Sequence, residues 1–337
     1  MIAAPLDSSA LRKIDPDLLA RVSDEVEKVE EELRHQVRSH VDLVERVGRL
    51  TLEAGGKRLR PAFVTLAARA TGLPFDEDRA VRLGAVMEMI HMATLMHDDV
   101  IDGASTRRGK PTAGATYGGT AAILGGDVLL AKAMMILAND GDIEIIRSTS
   151  QTMVEIAEGE VRELEVRGDF DLDEVDHLDV LRRKTAAFIE ACTEMGAHLA
   201  EASHEVRRAL KDYGHHVGIA FQIVDDLLDY RGDKSQTGKE IGTDFRDGQA
   251  TLPLIYLRPK MSEAESAIAR RRFGADPTGD ELRLIADWMD SRGAFSEAEK
   301  TAERHIAEAR NCLSVLPDTP ARAVLETVAA YVLERKR

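Results

Sequence analysis

The sequence has little cysteine, proline or aromatic content. Its 337 residues include 2 Cys, 10 Pro and 4% Phe, Trp and Tyr. Cys192 and Cys312 lie far apart, which excludes a disulfide-rich secreted protein and indicates reduced thiols in the cytoplasm. A large aliphatic core with few prolines packs most readily as helices. The composition therefore predicts an all-α protein.

Positive charge is also scarce. The 45 Lys and Arg residues are outnumbered by 60 Asp and Glu, which gives a formal net charge of −15. Nucleic acids and anionic membrane surfaces bind proteins with an excess of basic residues, so neither is expected as a partner. The longest apolar stretch, 121–138, is interrupted by Asp127 and Lys132. It predicts a buried helix pair and no transmembrane segment.

Helical periodicity runs through most of the chain. It begins after Pro16, where Val22, Val26, Val29 and Leu33 form an apolar stripe. Capping-box spacing predicts helix starts at three later pairs, namely Ser262 with Glu265, Thr278 with Glu281 and Ser296 with Glu299. Because linker-like composition is absent, we expect one domain over 1–337, with 1–15 a loosely ordered N-terminal segment.

The pattern Asp-Asp-x-x-Asp occurs twice, in "HDDVIDG" (97–103) and "VDDLLDY" (224–230). On a helix, the first and last aspartates of each pattern share one face. Like charges at this spacing destabilise a helix by about 0.2–0.5 kcal/mol, so each cluster needs a compensating partner or full solvation. The residues before Asp98 are strongly apolar, which argues against full solvation.

Clustered carboxylates without His or Cys ligands suit a hard cation such as Mg²⁺, which commonly also binds substrate phosphates. Basic residues follow the first cluster at Arg107 and Arg108, and others occur in "GGKRLRP" (55–61), at Lys184 and at Lys239. Arginine and lysine bind phosphate directly. The opposed charges of 96–110 thus predict one phosphate-binding surface. The alternative is an acidic surface turn with solvated basic residues.

The sequence strongly resembles the trans-isoprenyl diphosphate synthases, and the resemblance covers about residues 20–330. Seven motifs carry it in the family's order: "GGKRLRP" (55–61), "HMATLMHDDVID" (91–102), "RRGKPT" (107–112), "GGD" (125–127), "KT" (184–185), "FQIVDDLLD" (221–229) and "GKEIGTD" (238–244). The resemblance implies an all-α helical bundle around a deep central cavity and a homodimer. It also implies Mg²⁺, an allylic diphosphate and isopentenyl diphosphate.

The resemblance assigns roles to particular residues. Asp98 and Asp102 would bind two Mg²⁺ and Asp225 a third, with three further aspartates lining the same mouth: Asp99, Asp226 and Asp229. The allylic diphosphate would be held by Arg107, Lys184, Thr185, Gln222 and Lys239. Isopentenyl diphosphate would be held by Lys57, Arg60, His91 and Arg108. One departure is Gln249, where the family commonly has Lys.

Product length in this family depends on the floor of the cavity. The positions below Asp98 on its helix are Thr94, Ala93, Ile90 and Met89, and none carries the Phe or Tyr that often stops elongation in short-chain members. This predicts a long-chain product of about seven to ten isoprene units, with octaprenyl diphosphate, for quinone side chains, the central expectation. Farnesyl or geranylgeranyl diphosphate is the expected starter.

Three alternatives remain open: a short-chain farnesyl or geranylgeranyl diphosphate synthase, a non-catalytic subunit of a heterodimeric synthase and a class I terpene cyclase. A cyclase needs no isopentenyl diphosphate site, so "GGKRLRP", His91 and Arg108 count against it. A silent subunit would be expected to have lost acidic residues, and all six aspartates of the two patterns are present.

Overall fold

The computed structural model describes residues 16–231 and 241–334 and is 80% helical. Among these residues the strands are two short ones, β1 (Thr106–Arg107) and β2 (Lys110–Pro111), which pair antiparallel. The predicted all-α class is therefore confirmed. By its contacts the chain forms two compact units. Of the described residues, the first comprises 16–150, Cys192–Arg208 and Leu316–Leu325, and the second comprises Gln151–Ala191, 209–231, 241–315 and 326–334. Residues 1–15 lie outside the described part.

The first unit is built mainly from the N-terminal helices. These are α1 (Pro16–Gln36), α2 (Asp42–Glu53), α3 (Leu59–Ala70), α4 (Glu77–Ile101), α5 (Ala113–Tyr117) and α6 (Gly119–Asp140). The predicted stripe of α1 is buried from Val22 to Leu33, as its i, i+3, i+4 spacing requires. Helix α4 is apolar around its whole circumference in the middle, because it runs through the core of this unit.

The stretch 121–138 forms part of one continuous helix, α6, so the predicted helix pair is wrong. Gly125 and Gly126 are both buried inside the helix and do not end it. The opposite side of α6 is exposed and apolar at Ile123, Leu124 and Met135. The helix is long and apolar enough to cross a membrane, although 33% of its most apolar window is buried in the protein. Buried core helices meet the same criterion.

The second unit contains several helices of its own: α8 (Glu174–Leu181), α11 (Thr243–Arg246), α12 (Leu252–Leu257), α13 (Glu263–Arg272), α14 (Gly279–Ser291) and α15 (Ala294–Cys312). A π-helical segment, Arg182–Ala186, follows α8, and 3₁₀ turns follow α12 and α15 at Arg258–Lys260 and Leu313–Val315. Four helices contribute residues to both units: α7 (Ile143–Val166), α9 (Ala187–Leu199), α10 (His204–Arg231) and α16 (Pro320–Glu334).

Two of the three predicted capping boxes are present. Ser262 with Glu265 begins α13 and Thr278 with Glu281 begins α14, each with both reciprocal hydrogen bonds. The third prediction is wrong, because α15 already begins at Ala294 after Gly293. Gly293 has a φ of 72°, a left-handed conformation that sets the start of the helix earlier than Ser296. Both cysteines are free thiols, as predicted.

Candidate functional site

The first acidic cluster lies at the C-terminal end of α4. Asp98 and Asp99 are in its last turn and Asp102 is its C-cap, with the Asp102 amide donating to the Asp98 carbonyl at 2.8 Å. The C-terminal end of a helix carries partial negative charge, and this last turn contains no basic residue. Three carboxylates here add to that charge. The donor set therefore fits a hard divalent cation such as Mg²⁺.

Asp99 differs from its two neighbours because it is buried. Its Oδ1 accepts a hydrogen bond from Arg107 Nε at 2.8 Å. Burial raises the pKa of Asp99, and the Arg107 guanidinium offsets part of that rise. Asp99 thus fixes Arg107 beside the cluster. The bond uses only Nε, so the Nη groups of the same guanidinium retain donor capacity for an anion.

Arg107 and Arg108 lie on the hairpin that follows the cluster. Arg108 and Gly109 occupy the turn between β1 and β2, with φ of 53° and 74°. Arg58, which precedes α3, has a φ of 50°. A left-handed backbone is uncommon for residues other than Gly and Asn, and such strain concentrates at functional sites. Two of these strained positions, Arg58 and Arg108, carry guanidinium groups that line the same cleft.

That cleft is lined by residues from α2, α4, α5 and the hairpin. Its charged and polar lining includes Arg58, Glu88, His91, Asp99, Arg107 and Arg108. The pKa of His91 is far below its ordinary value, first because of burial and then because of the guanidinium groups of Arg60, Arg108, Arg107 and Arg58. His91 is consequently neutral at physiological pH. A neutral hydrogen-bonding group among four cations suits an anion such as diphosphate.

The basic residues of "GGKRLRP" have different environments. Arg58 is buried and forms ion pairs with Glu30 at 2.6 Å and Glu88 at 2.9 Å, so its guanidinium holds α1 and α4 together. Arg60 is half-buried, and burial lowers its pKa. Lys57 is exposed. Arg60 and Arg108 thus lie close enough to His91 for their charges to act on it.

In the second unit, the "KT" motif lies in the π-helical segment that follows α8. Glycines of two neighbouring helices allow their backbones to pack directly against this segment. A Cβ at Gly159 of α7 would stand 2.8 Å from the backbone nitrogen of Lys184, and one at Gly218 of α10 would stand 2.5 Å from the Ala186 Cα. Wide helical turns of this kind occur frequently at functional sites. The segment is therefore clamped in a fixed position between α7 and α10.

Lys184 is held by two acidic residues that the sequence reading did not select. Its Nζ donates to Glu163 Oε2 at 2.6 Å and to Glu160 Oε2 at 3.2 Å. Burial alone would lower the pKa of Lys184, but these two carboxylates outweigh it and raise that pKa. The ammonium is thus permanently charged and oriented. Its third hydrogen remains available for a phosphate oxygen.

Thr185 and Gln222 connect this segment to the second acidic cluster. Thr185 Oγ1 donates to Gln222 Oε1 at 3.1 Å, and Gln222 Nε2 donates to Asp226 Oδ1 at 3.2 Å. The other carboxylate oxygen of Asp226 is buried without a hydrogen-bond partner among residues 16–231 and 241–334, 3.3 Å from His177 Nε2. Such a buried oxygen is costly unless a cation or donor satisfies it.

The second cluster also gains a carboxylate from outside its own helix. The Asp244 amide of α11 donates to Asp229 Oδ2 at 3.0 Å, and the Gly242 amide donates to the Asp229 carbonyl. Burial raises the pKa of Asp229 and of Asp244, and mutual repulsion among Asp226, Asp229 and Asp244 raises both further. Repelling carboxylates in this environment fit Mg²⁺. Asp244 and His177 were missed, although "GTD" (242–244) was quoted as a motif.

A cleft in the second unit joins these groups. Its polar lining includes Glu163, His177, Lys184, Gln222, Asp226, Asp244 and Gln249. The backbone N–H of Gln249 donates to the backbone carbonyl of Asp244 at 2.8 Å. Gln249, which stands where the family commonly has Lys, therefore lies beside the acidic cluster. Lys239 lies outside the described residues.

The four chain-length positions all lie in α4. Met89, Ile90 and Ala93 are buried, and Thr94 is half-buried with its Oγ1 donating to the His91 carbonyl at 3.0 Å. A Cβ at Gly126 of α6 would stand 3.2 Å from the Ala93 carbonyl oxygen, so α6 packs closely at this level.

A family profile, curated relatives and solved structures all match this chain to polyprenyl diphosphate synthases. The sequence profile described as polyprenyl synthetase matches residues 41–286. The octaprenyl diphosphate synthase of Escherichia coli is 36% identical over 302 residues, which cover 90% of this chain and 93% of that protein. Component 2 of the heptaprenyl diphosphate synthase of Geobacillus stearothermophilus is 35% identical and covers 93% and 97% of the two chains. The crystal structure of a decaprenyl diphosphate synthase from Rhodobacter capsulatus superposes with a TM-score of 0.89 at 36% identity. The superposition covers 95% of this chain and 99% of that chain.

Proposed function

The chain belongs to the polyprenyl synthetase family and is a trans-prenyltransferase, and from that premise we propose that it makes octaprenyl diphosphate. In the proposed reaction it condenses a farnesyl or geranylgeranyl diphosphate starter with successive isopentenyl diphosphates and releases diphosphate each time. Relatives of 35–36% identity make octaprenyl, heptaprenyl and decaprenyl products by name, which supports a long chain. The observation that carries the chemistry is the neutral His91 among four guanidinium groups, beside carboxylates at a helix end.

The family uses Mg²⁺, and both acidic clusters fit it by donor chemistry. In the proposal, Asp98 and Asp102 hold two ions and Asp225 a third, with Asp99, Asp226 and Asp229 in supporting positions. When bound, Mg²⁺ neutralises the charge that develops on the departing diphosphate. Because Asp99 is committed to Arg107 and Asp226 to Gln222, these two residues orient neighbouring side chains.

The basic residues divide between the two substrates. Arg107, Lys184, Thr185, Gln222 and Lys239 are proposed to bind the allylic diphosphate, and Lys57, Arg60, His91 and Arg108 the diphosphate of isopentenyl diphosphate. Acid partners hold Arg107 and Lys184 in place before substrate arrives, which supports their role as preorganised donors. Donors already in position stabilise the developing anion without reorganisation, which lowers the barrier to breaking the allylic C–O bond.

We also propose that the protein is a homodimer and that a second copy covers α6. Thr120, Leu124, Asp127, Ala131 and Met135 recur at helical spacing along its exposed side, and most are apolar. Such a continuous face favours a protein partner. The heptaprenyl relative is named as one of two components, so a different second subunit is the alternative. Sedimentation of the purified chain alone distinguishes a dimer from a monomer that awaits another protein.

Incubation of the purified chain with farnesyl diphosphate, labelled isopentenyl diphosphate and Mg²⁺ tests the proposed reaction. We expect dephosphorylated products of about eight isoprene units. Products that stop at fifteen or twenty carbons would favour the short-chain alternative. Cyclic hydrocarbons made from the allylic substrate alone would favour a terpene cyclase. No turnover until another protein is added would favour a subunit of a heterodimer.

Substitutions on α4 test the chain-length assignment. Ala93→Tyr is expected to shorten the product to about fifteen or twenty carbons, because a ring beneath Asp98 blocks elongation while leaving the first condensation intact. Ala93 is fully buried, so the ring costs about 1–3 kcal/mol of stability by overpacking. Thr94→Tyr is the matched variant, since Thr94 is only half-buried. Unchanged product length in both folded variants would place the floor of the cavity elsewhere.

A further inference from the structure

Three histidines of the second unit cluster away from both acidic groups. His215 and His216 lie on α10 and His305 on α15. His216 Nδ1 stands 3.0 Å from His305 Nδ1, and one ring nitrogen from each of the three imidazoles lies within 4.8 Å of the others. The ring centroids are 5.0, 5.2 and 6.3 Å apart, and all three side chains are half-buried.

Carboxylates lie near this cluster, and burial lowers the pKa of two of its three histidines, His216 and His305. Burial, together with His216, His215 and Arg304, lowers the pKa of His305 to about 4. Burial and His215 also lower the pKa of His216, against the opposing pull of Glu308, Asp212 and Glu190. Neutral imidazole is the form that binds metal ions. Nearby carboxylates favour a bound cation.

Glu190 supplies a second independent feature of a metal site. Its Oε1 lies 2.8 Å from His215 Nδ1. Histidines that bind metals commonly use one ring nitrogen for the metal and donate from the other to a carboxylate. This contact orients the His215 ring and leaves Nε2 as its other ring nitrogen.

We propose that His215, His216 and His305 form a binding site for Zn²⁺ or a similar late transition-metal ion, with water in the fourth position. Two imidazole nitrogens on a tetrahedral Zn²⁺ stand about 3.3 Å apart, given Zn–N distances of about 2.0–2.1 Å. The His216 and His305 nitrogens need to move by only a few tenths of an ångström to reach that separation. Three nitrogen ligands favour Zn²⁺ over Mg²⁺, which prefers oxygen.

The site is separate from the second acidic cluster. His216 precedes Asp225 by nine residues on α10, or about 13 Å along the axis at about 1.5 Å per residue. A metal ion here would join α10 to α15 and stabilise the helix that carries Asp225 and Asp229. Its expected role is therefore structural.

Zinc titration of the full-length, chelator-treated protein in excess Mg²⁺ tests the proposal, because Mg²⁺ occupies the oxygen sites. We expect one Zn²⁺ per chain by calorimetry and a higher melting temperature. His305→Asn and His216→Asn should each weaken binding at least tenfold, and Glu190→Gln should weaken it about ten- to hundredfold. The control is His204→Asn, an exposed histidine of the same helix, which should bind like the wild type.

Cobalt spectroscopy on the wild type gives a second readout that needs no variant to fold. Co²⁺ in a tetrahedral nitrogen site gives intense visible absorption that Zn²⁺ displaces and excess Mg²⁺ does not. Absence of a zinc-displaceable signal in the wild type would overturn the proposal. So would folded His305→Asn and His216→Asn proteins that bind Zn²⁺ as tightly as the wild type.

Discussion

The two Asp-Asp-x-x-Asp clusters have the same pattern in different environments. The first lies at the end of α4, where Asp98 is half-buried, Asp102 is exposed and only Asp99 is buried. The second lies in the last two turns of α10, where Asp226 is buried and Asp244 from α11 adds a further carboxylate. The first cluster is next to guanidinium groups, whereas the second contains carboxylates that raise each other's pKa.

This difference shows that a repeated motif does not imply equivalent sites. Solvent and Arg107 already relieve part of the repulsion in the first cluster. In the second cluster, burial strengthens the repulsion among Asp226, Asp229 and Asp244. If both clusters hold Mg²⁺ as proposed, we expect the second to gain more stability from the bound ion than the first.

Each unit also contains a base that an acid holds in position. Asp99 orients Arg107 with one hydrogen bond, whereas Glu160 and Glu163 together orient Lys184. A bidentate base is suited to two phosphate oxygens, and a point charge to one. In the proposed function, the two clusters would thus offer different kinds of phosphate contact beside their carboxylates.

The largest expected effect comes from removing one carboxylate of each cluster. Asp98→Asn and Asp225→Asn should each lower kcat about a thousandfold, because about 4 kcal/mol of charge stabilisation is lost at about 1.4 kcal/mol per tenfold. Asp99→Asn, which removes the partner of Arg107, should cost only about tenfold. Steady-state kinetics with saturating Mg²⁺ measure all three.

Circular dichroism serves as the control, since none of these substitutions should change helical content. Added EDTA should abolish wild-type turnover. Substantial EDTA-resistant activity, or an Asp225→Asn enzyme as active as the wild type, would show that the second cluster does not hold a catalytic metal.

A smaller effect should separate the two diphosphate sites. Under the proposed assignment, Arg108→Gln should remove one charge-assisted hydrogen bond to isopentenyl diphosphate, and Lys184→Gln should remove one to the allylic substrate. At about 1.5–3 kcal/mol each, the loss should raise KM for the matching substrate about ten- to hundredfold. The KM for the other substrate should change little. Equal effects on both substrates in both variants would mean that the assignment is wrong.

Much of the fold is predictable from sequence because local patterns determine helices. The α1 stripe and the capping boxes of α13 and α14 depend on residues within one or two turns, and these predictions were confirmed. The errors arose where tertiary contacts decide the outcome. Gly125 and Gly126 resemble a break between helices, yet both are buried within α6. The left-handed Gly293 begins α15 earlier than its Ser296 signal.

The candidate site is less predictable in its supporting residues. Motifs located the aspartates and bases, but Glu160, Glu163 and His177 belong to no pattern and reach Lys184 and Asp226 only through packing of α7, α8 and α10. The π-helical segment also depends on long-range contacts, since Gly159 and Gly218 lie far from it in sequence. Only the unusual glycines inside two helical patterns signal such a close approach.

The smallest expected effect concerns Gln249, which lines the cleft beside Asp226 and Asp244. Gln249→Lys adds a cation next to buried, mutually repelling carboxylates, so the metal-free protein should gain about 1–2 kcal/mol in free energy of unfolding. Ser105→Lys is the matched control, because Ser105 is exposed near the first cluster and a surface pair there is worth about 0–1 kcal/mol. Urea unfolding with EDTA measures both.

Addition of Mg²⁺ should reduce the stability gained by Gln249→Lys, because the ion and the new ammonium relieve the same repulsion and cannot both contribute fully. The new ammonium should also lower KM for the allylic diphosphate a few-fold, since it adds one charge near Lys184 at the mouth of this cleft. If Ser105→Lys stabilises the metal-free protein as much as Gln249→Lys does, the two clusters experience equal repulsion. The contrast between the exposed cluster at the end of α4 and the more buried cluster of α10 and α11 would then have no energetic consequence.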